Sequence, residues 1–172
     1  TNCVAVTDFT QNFDGVTTPA LPTCWNKVGT GGSVYTQGGT IGSSPNVIYI
    51  YSGSAASTAV LSMQPVSTLQ LGTYRLKFKL KANGTAGGKI EVGYLTDPLD
   101  PATFVALDSF TASNTTTAEN FVVNSISAPA GVEVLAFRAS STPAYSMLLD
   151  DVVYELTPSC AEPTNVASSN TT

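Results

Sequence analysis

Two acidic motifs stand at opposite ends of the chain. Asp8-Phe9-Thr10-Gln11-Asn12-Phe13-Asp14 lies near the start, and Leu148-Leu149-Asp150-Asp151-Val152-Val153-Tyr154 near the end. Carboxylates are the ligands that hard cations take. Each set lies beside apolar residues of strand type, so a fold that joins the first and last strands would gather oxygens around one ion. That is binding chemistry, and catalytic chemistry is poorly supplied. The 172 residues include no histidine, which removes the commonest general base and the commonest transition-metal ligand. Ser-His-Asp and Cys-His nucleophiles and His-ligated zinc are excluded with it. Asp97 and Asp100 could imitate a glycosidase pair, but Pro98 and Pro101 beside them mark a surface turn.

The elements that position these acids follow from composition and period. Charged residues are 11% of the chain, well under the roughly 25% of an average globular protein. Thr, Ser, Asn and Gly must therefore supply the polar surface, and Thr and Ser disfavour helices by competing for backbone hydrogen bonds. Seven basic residues against twelve acidic ones give a net charge of −5. No basic stripe can neutralise phosphates, so nucleic acid is not an expected partner. No apolar run approaches the roughly 18 residues of a membrane span, so no insertion is expected. The chain starts at Thr1 without Met, as an excised or processed piece would.

Strict alternation is clearest at residues 73–81. Tyr74, Leu76, Phe78 and Leu80 should face a core, and Arg75, Lys77, Lys79 and Lys81 solvent. That basic row reads as a solvated face that discourages edge pairing. A cationic ladder facing a ligand is the alternative. Further strands are expected at 9–13, 46–51, 59–63, 89–95, 104–110, 121–126, 132–138 and 145–156, with residues 29–42 a long loop or two weak strands. Asn83-Gly84 and Gly87-Gly88 mark a hairpin loop. About ten short strands with turn chemistry between them predict an all-β, antiparallel β-sandwich or jelly roll. Trp25 is expected as a buried anchor, with an exposed sugar-stacking platform as its alternative. Tyr35, Tyr49, Tyr51 and Tyr145 are further stacking candidates. Asn83, Asn114 and Asn170 open N-x-[ST] patterns, which Thr-rich chains also generate by chance.

The cysteines stand at positions 3, 24 and 160, and none forms a CxxC pair of the zinc-binding kind. In an extracellular chain two would pair. Cys3–Cys24, closing a short loop around the first strand, is favoured over three unpaired thiols in a cytosolic protein. Cys160 is then left over, with a partner expected in a following domain. Residues 1–6 read as a lead-in, 7–157 as one domain, and 158–172 as a linker resembling the opening of a fibronectin type III repeat.

The segment from Asp8 to Asp14, the run Leu21-Pro22-Thr23-Cys24-Trp25, and Leu148-Leu149-Asp150-Asp151-Val152 occur in this order. Between them, Ala128-Pro129-Ala130-Gly131 leads to Val134-Leu135-Ala136-Phe137-Arg138. Over residues 7–157 the chain resembles the cleaved-adhesin, or MAM-like jelly-roll, domains of secreted Bacteroidetes proteins, such as the adhesin domains of gingipains. The resemblance implies an extracellular, non-catalytic module of a larger secreted or cell-surface protein. It would bind a glycan or an extracellular protein, or act as a spacer between adjacent domains, and a self-contained sandwich is expected as a monomer. The resemblance also implies a structural calcium where the first and last strands meet. Asp14 stands where the family usually has Glu, one methylene longer. In MAM-type domains a cysteine near the first strand pairs with one just before the tryptophan. Cys24-Trp25 fits that pattern, and Cys3 sits farther upstream than usual.

For such a calcium, Asp14 and the pair Asp150 and Asp151 would supply up to three carboxylates. Adjacent residues of a regular strand point to opposite faces. Asp150 is therefore the first choice, with Asp151 peripheral or reaching from a bulge. Asp8 and Asn46 are secondary candidates, and backbone carbonyls would complete the shell.

Overall fold

The computed structural model describes residues 2–159. Cys160, Asn170 and most of the expected linker lie outside the described residues. Eleven strands are present: β1 (Phe9–Gln11), β2 (Asn26–Lys27), β3 (Ser33–Gly38), β4 (Asn46–Tyr51), β5 (Val60–Ser62), β6 (Tyr74–Ala82), β7 (Gly88–Leu95), β8 (Phe104–Ala112), β9 (Glu119–Ile126), β10 (Val134–Ala139) and β11 (Met147–Leu156). They form two antiparallel sheets packed as a jelly roll. The first runs β3-β4-β11-β6-β9, with β1 also on β11; the second runs β2-β5-β10-β7-β8. The only helical segments among the described residues are two single 3-10 turns, and no helix is long and apolar enough to cross a membrane.

The core is the sum of the inward-facing rows. In β6, burial alternates without a break from Tyr74 to Ala82. Leu76, Phe78 and Leu80 meet Ile48 and Ile50 of β4, Ile90 and Val92 of β7, Leu135 and Phe137 of β10, and Leu149 and Val152 of β11 in one cluster. Phe78 touches three other rings, Phe110, Phe121 and Phe137, at centroid distances of 5.3, 5.8 and 5.0 Å. The opposite rows of the second sheet form a smaller cluster of Val28, Val60, Leu95, Phe104, Val134 and Ala136. Trp25 is buried, with its ring edge-on to Phe9 and Phe13, so it is a core anchor and not a platform.

Two expectations are corrected. The turn at Asn83–Gly87 closes no hairpin, because β6 belongs to the first sheet and β7 to the second. It carries the chain across the sandwich. The basic row of β6 guards no edge, because β6 lies between β11 and β9. Three of its four charges are met from β11 instead: Arg75 and Lys77 pair with Glu155, and Lys79 with Asp151.

A disulfide joins Cys3 to Cys24. It ties down the segment before β1, where Val6 also forms a parallel bridge with Val66. Replacing both cysteines by serine frees a loop with a sequence separation of 21 and should cost about 3 kcal/mol of unfolding free energy. Phe78→Ala should cost about 3–5 kcal/mol. Urea denaturation measures both. A loss under about 1 kcal/mol at Phe78 would show that the four-ring cluster does not organise the core.

Candidate functional site

The two acidic motifs meet, and the reason lies in β11. One edge of β11 pairs with β6 along its length. The other edge is shared: Met147–Leu149 pair with β4, and Val152–Tyr154 pair with β1. Asp150 and Asp151 fall at the junction between the two partners. There the register with β6 shifts between Asp150 and Val153, a bulge, and Asp151 takes a left-handed φ of 46°. Aspartate is among the residues that tolerate that region best. Because β1 and β4 are both antiparallel to β11, the end of β1 and the start of β4 arrive at the same place.

Their loops close over Asp150, which is fully buried. Its Oδ1 accepts from the Asp151 backbone N–H at 2.7 Å and lies 3.4 Å from Ser43 Oγ. Ser43 Oγ is also 3.3 Å from the Asn12 carbonyl oxygen. Asp14 Oδ1 accepts from the Asn46 backbone N–H at 3.1 Å. The Asn46 side chain donates to the carbonyls of Phe13 and Val16, at 3.2 and 2.8 Å. Asn46 therefore braces the loop that carries Asp14. Phe13 holds a φ of 61°, which is costly for a bulky residue. Its buried ring against Trp25 offsets that cost while its carbonyl stays on the site side.

Asp151 turns away from Asp150. Its Oδ2 lies 3.1 Å from Lys79 Nζ, and Gly42 packs against both groups so closely that a Cβ there would collide with them. Asp8 is exposed and precedes Phe9, whose register partner is Tyr154, so it lies at the far end of β1 from Asp14. Ser43 and the Asn12 carbonyl carried no sequence signal. One sits in a Gly/Ser-rich loop, and every residue has a carbonyl.

Asp150 Oδ2 is buried with no hydrogen-bond partner, a costly state for a carboxylate oxygen. The Asp150 carboxyl is pushed up to about 6, first by burial and then by the neighbouring carboxylates of Asp151 and Asp14, against the hydrogen bonds from Asp151 N–H and Ser43. Among the described residues no three His, Cys, Asp or Glu side chains form a metal-binding group. The donor set here is instead two carboxylates, a hydroxyl and a carbonyl. All are oxygens, the type a hard cation takes, and one of them lacks any partner.

The tyrosine candidates separate. Tyr35 and Tyr49 stack on each other across β3 and β4 at 4.8 Å, on the outer face of the first sheet. Tyr145 lies in the turn before β11. Asp97 and Asp100 use their Oδ1 atoms on the backbone N–H groups of Leu99 and Ala102, as turn residues do.

No protein-family model matches the chain, and no curated protein matches it. Solved structures do. A cleaved adhesin domain of Lys-gingipain from Porphyromonas gingivalis superposes with a TM-score of 0.65 at 18% identity, covering 88% of this chain and 99% of that one. The fold is that of the cleaved adhesin domains. A second adhesin domain of the same gingipain gives 0.61 at 21% identity over 85% of this chain and 95% of its own. The adhesin-like fold extends to a xylan-binding domain from Paenibacillus barcinonensis, with a TM-score of 0.60 at 15% identity over 91% and 100% of the two chains.

The raised Asp150 value has a defined sign. Between the ordinary carboxylate value of 3.8 and about 6, the folded state holds a proton that the unfolded state has lost, so stability falls as pH rises through that window. In metal-free protein, Asp150→Asn should gain on the wild type by about 2 kcal/mol between pH 4 and pH 7. Denaturation of both proteins in chelator at the two pH values measures this. A constant difference would place Asp150 at an ordinary carboxylate value.

Proposed function

We propose that this domain is a non-catalytic extracellular recognition module for glycans, carried by a larger secreted or cell-surface polypeptide and stapled by a structural calcium. The observation that carries the reading is the fold shared with both adhesin domains and a xylan-binding domain. Fold alone does not assign function, and three features of the residues support the reading. Histidine is absent, and the carboxylates of Asp97 and Asp100 are engaged in capping their own turn. The disulfide fits an oxidising compartment.

Asp150 and Asp14 are the residues that would hold the calcium by side chain, with the Asn12 carbonyl and Ser43 beside them. The ion would supply the missing partner of Asp150 Oδ2 and compensate the charge that the fold buries there. Asn46 positions Asp14, and Lys79 neutralises Asp151. The ion's part is structural: it would lock the end of β1 to the start of β4 over the bulge of β11.

Two measurements test this reading. A ligand that binds only the folded state stabilises it by mass action, by about 2.7 kcal/mol at a hundredfold excess over Kd. Calcium should therefore raise the Tm of the wild type, whereas Asp150→Asn should lose the response. An identical Tm in calcium and in chelator would remove the ion from the account. An array of glycans and extracellular-matrix proteins, run with and without chelator, should give selective glycan hits. A folded protein that is silent across the array would instead be a spacer between its neighbours.

A further inference from the structure

A cleft lies away from the acidic junction. It lies at the β2 end of the second sheet, beside the Cys3–Cys24 disulfide, and encloses about 510 Å³, within the usual range for small-ligand sites. Its polar lining includes Asn2, Asn26, Lys27 and Ser62, and its apolar lining includes Met63, Leu99 and Val134. Leu99 is 85% exposed at the rim, a leucine that the core does not use.

Charge distinguishes this cleft. The chain carries five more acids than bases, yet no acid lines it. Three acids adjoin lining residues in sequence: Glu133 precedes Val134, while Asp97 and Asp100 turn their carboxylates onto the N–H groups of their own turn. Arg75, Lys77, Lys79 and Arg138 each have a carboxylate partner. Lys27 has none among the described residues, and its Nζ meets only the Thr30 carbonyl at 3.5 Å. The cleft thus holds an uncompensated ammonium and two primary amides over an apolar wall. Amides can both donate to and accept from hydroxyls, and an ammonium is matched by an anion.

The frame is built in advance. The disulfide pins one part of the lining, and Asn26 and Lys27 are held on β5 opposite Ser62 and Leu61. Ser62 Oγ adds a bond to the Asn26 carbonyl. An extended peptide is a poorer occupant, because β2 has two residues and offers too short an edge for an added strand.

We propose that this cleft binds an acidic saccharide, with Lys27 taking its carboxylate or sulfate, Asn2 and Asn26 its hydroxyls, and Leu99 an apolar ring face. The inference rests on the glycan-binding reading and specifies its ligand class and site.

Calorimetric titration of the full chain at low salt tests it. The probes are uronate, sialylated and sulfated oligosaccharides with their neutral counterparts, xylohexaose, and a glutamate hexapeptide. At least one acidic sugar should bind at least tenfold more tightly than its neutral counterpart. Lys27→Ala should lose at least tenfold of that affinity. Lys81→Ala, which removes the same charge from the first sheet, should leave it unchanged. Preference for no acidic sugar, indifference to Lys27→Ala, or equal binding of the hexapeptide would each overturn the assignment. Neutral sugars bound equally by wild type and Lys27→Ala would overturn this cleft while the recognition module stands. Binding of no sugar at all would overturn both.

Discussion

The structure depends on a strand with too many partners. β11 lies inside the first sheet, and one of its edges must satisfy β4 along its first half and β1 along its second. Two strands cannot abut end to end without a gap in the ladder, because each must leave through a loop. A bulge is how a strand absorbs such a gap, and here it places two consecutive aspartates at the break. Burial of Asp150, the left-handed backbone at Asp151 and the strained backbone at Phe13 all follow from that junction. So does the convergence of residues some 140 positions apart in the chain.

Burying a carboxylate in such a place opposes folding unless something compensates it. The surrounding residues compensate Asp151 through Lys79, and Glu155 is held below its usual range first by Lys77 and then by Arg75. Asp150 receives two hydrogen-bond donors and no cation side chain. On the outer face of the first sheet Asp151 and Glu155 each have a basic partner, whereas Asp150 is fully buried and has none. Its isolation is a better pointer to an ion than the number of carboxylates nearby.

Much of this was legible in the residues. The period-two row of β6 and the β-branched run at Asn46–Tyr51 matched the structure almost residue for residue, because alternation is imposed directly by the pleat. That the first and last acids would meet was also readable, from motifs that share strand character. Sheet membership was not. The glycines at 84 and 87 signal a reversal whether the chain pairs with the previous strand or crosses to the opposite sheet, and only the global topology decides. β3 was half visible, since Ser33–Gly38 has few strong strand formers and is held by its register with β4. The bulge was anticipated as one option, but its place depends on where β4 stops and β1 starts, which no local pattern encodes. Ser43 was invisible for the same reason, being one serine among several in its loop.

The Cys3–Cys24 bond has a consequence for mechanics. β1 runs antiparallel to β11, so the chain enters and leaves the first sheet at the same end of the sandwich. Tension between those two ends would unzip β1 from β11 one rung at a time, the weakest way to load a sheet. The disulfide changes the path of that load. Force arriving at Cys3 passes through the sulfurs to Cys24 and skips residues 4–23, which include β1 and the loop that carries Asp14. Force at the N-terminal end therefore bypasses β1 and passes to β2 and the second sheet, while force at the other end still enters through β11.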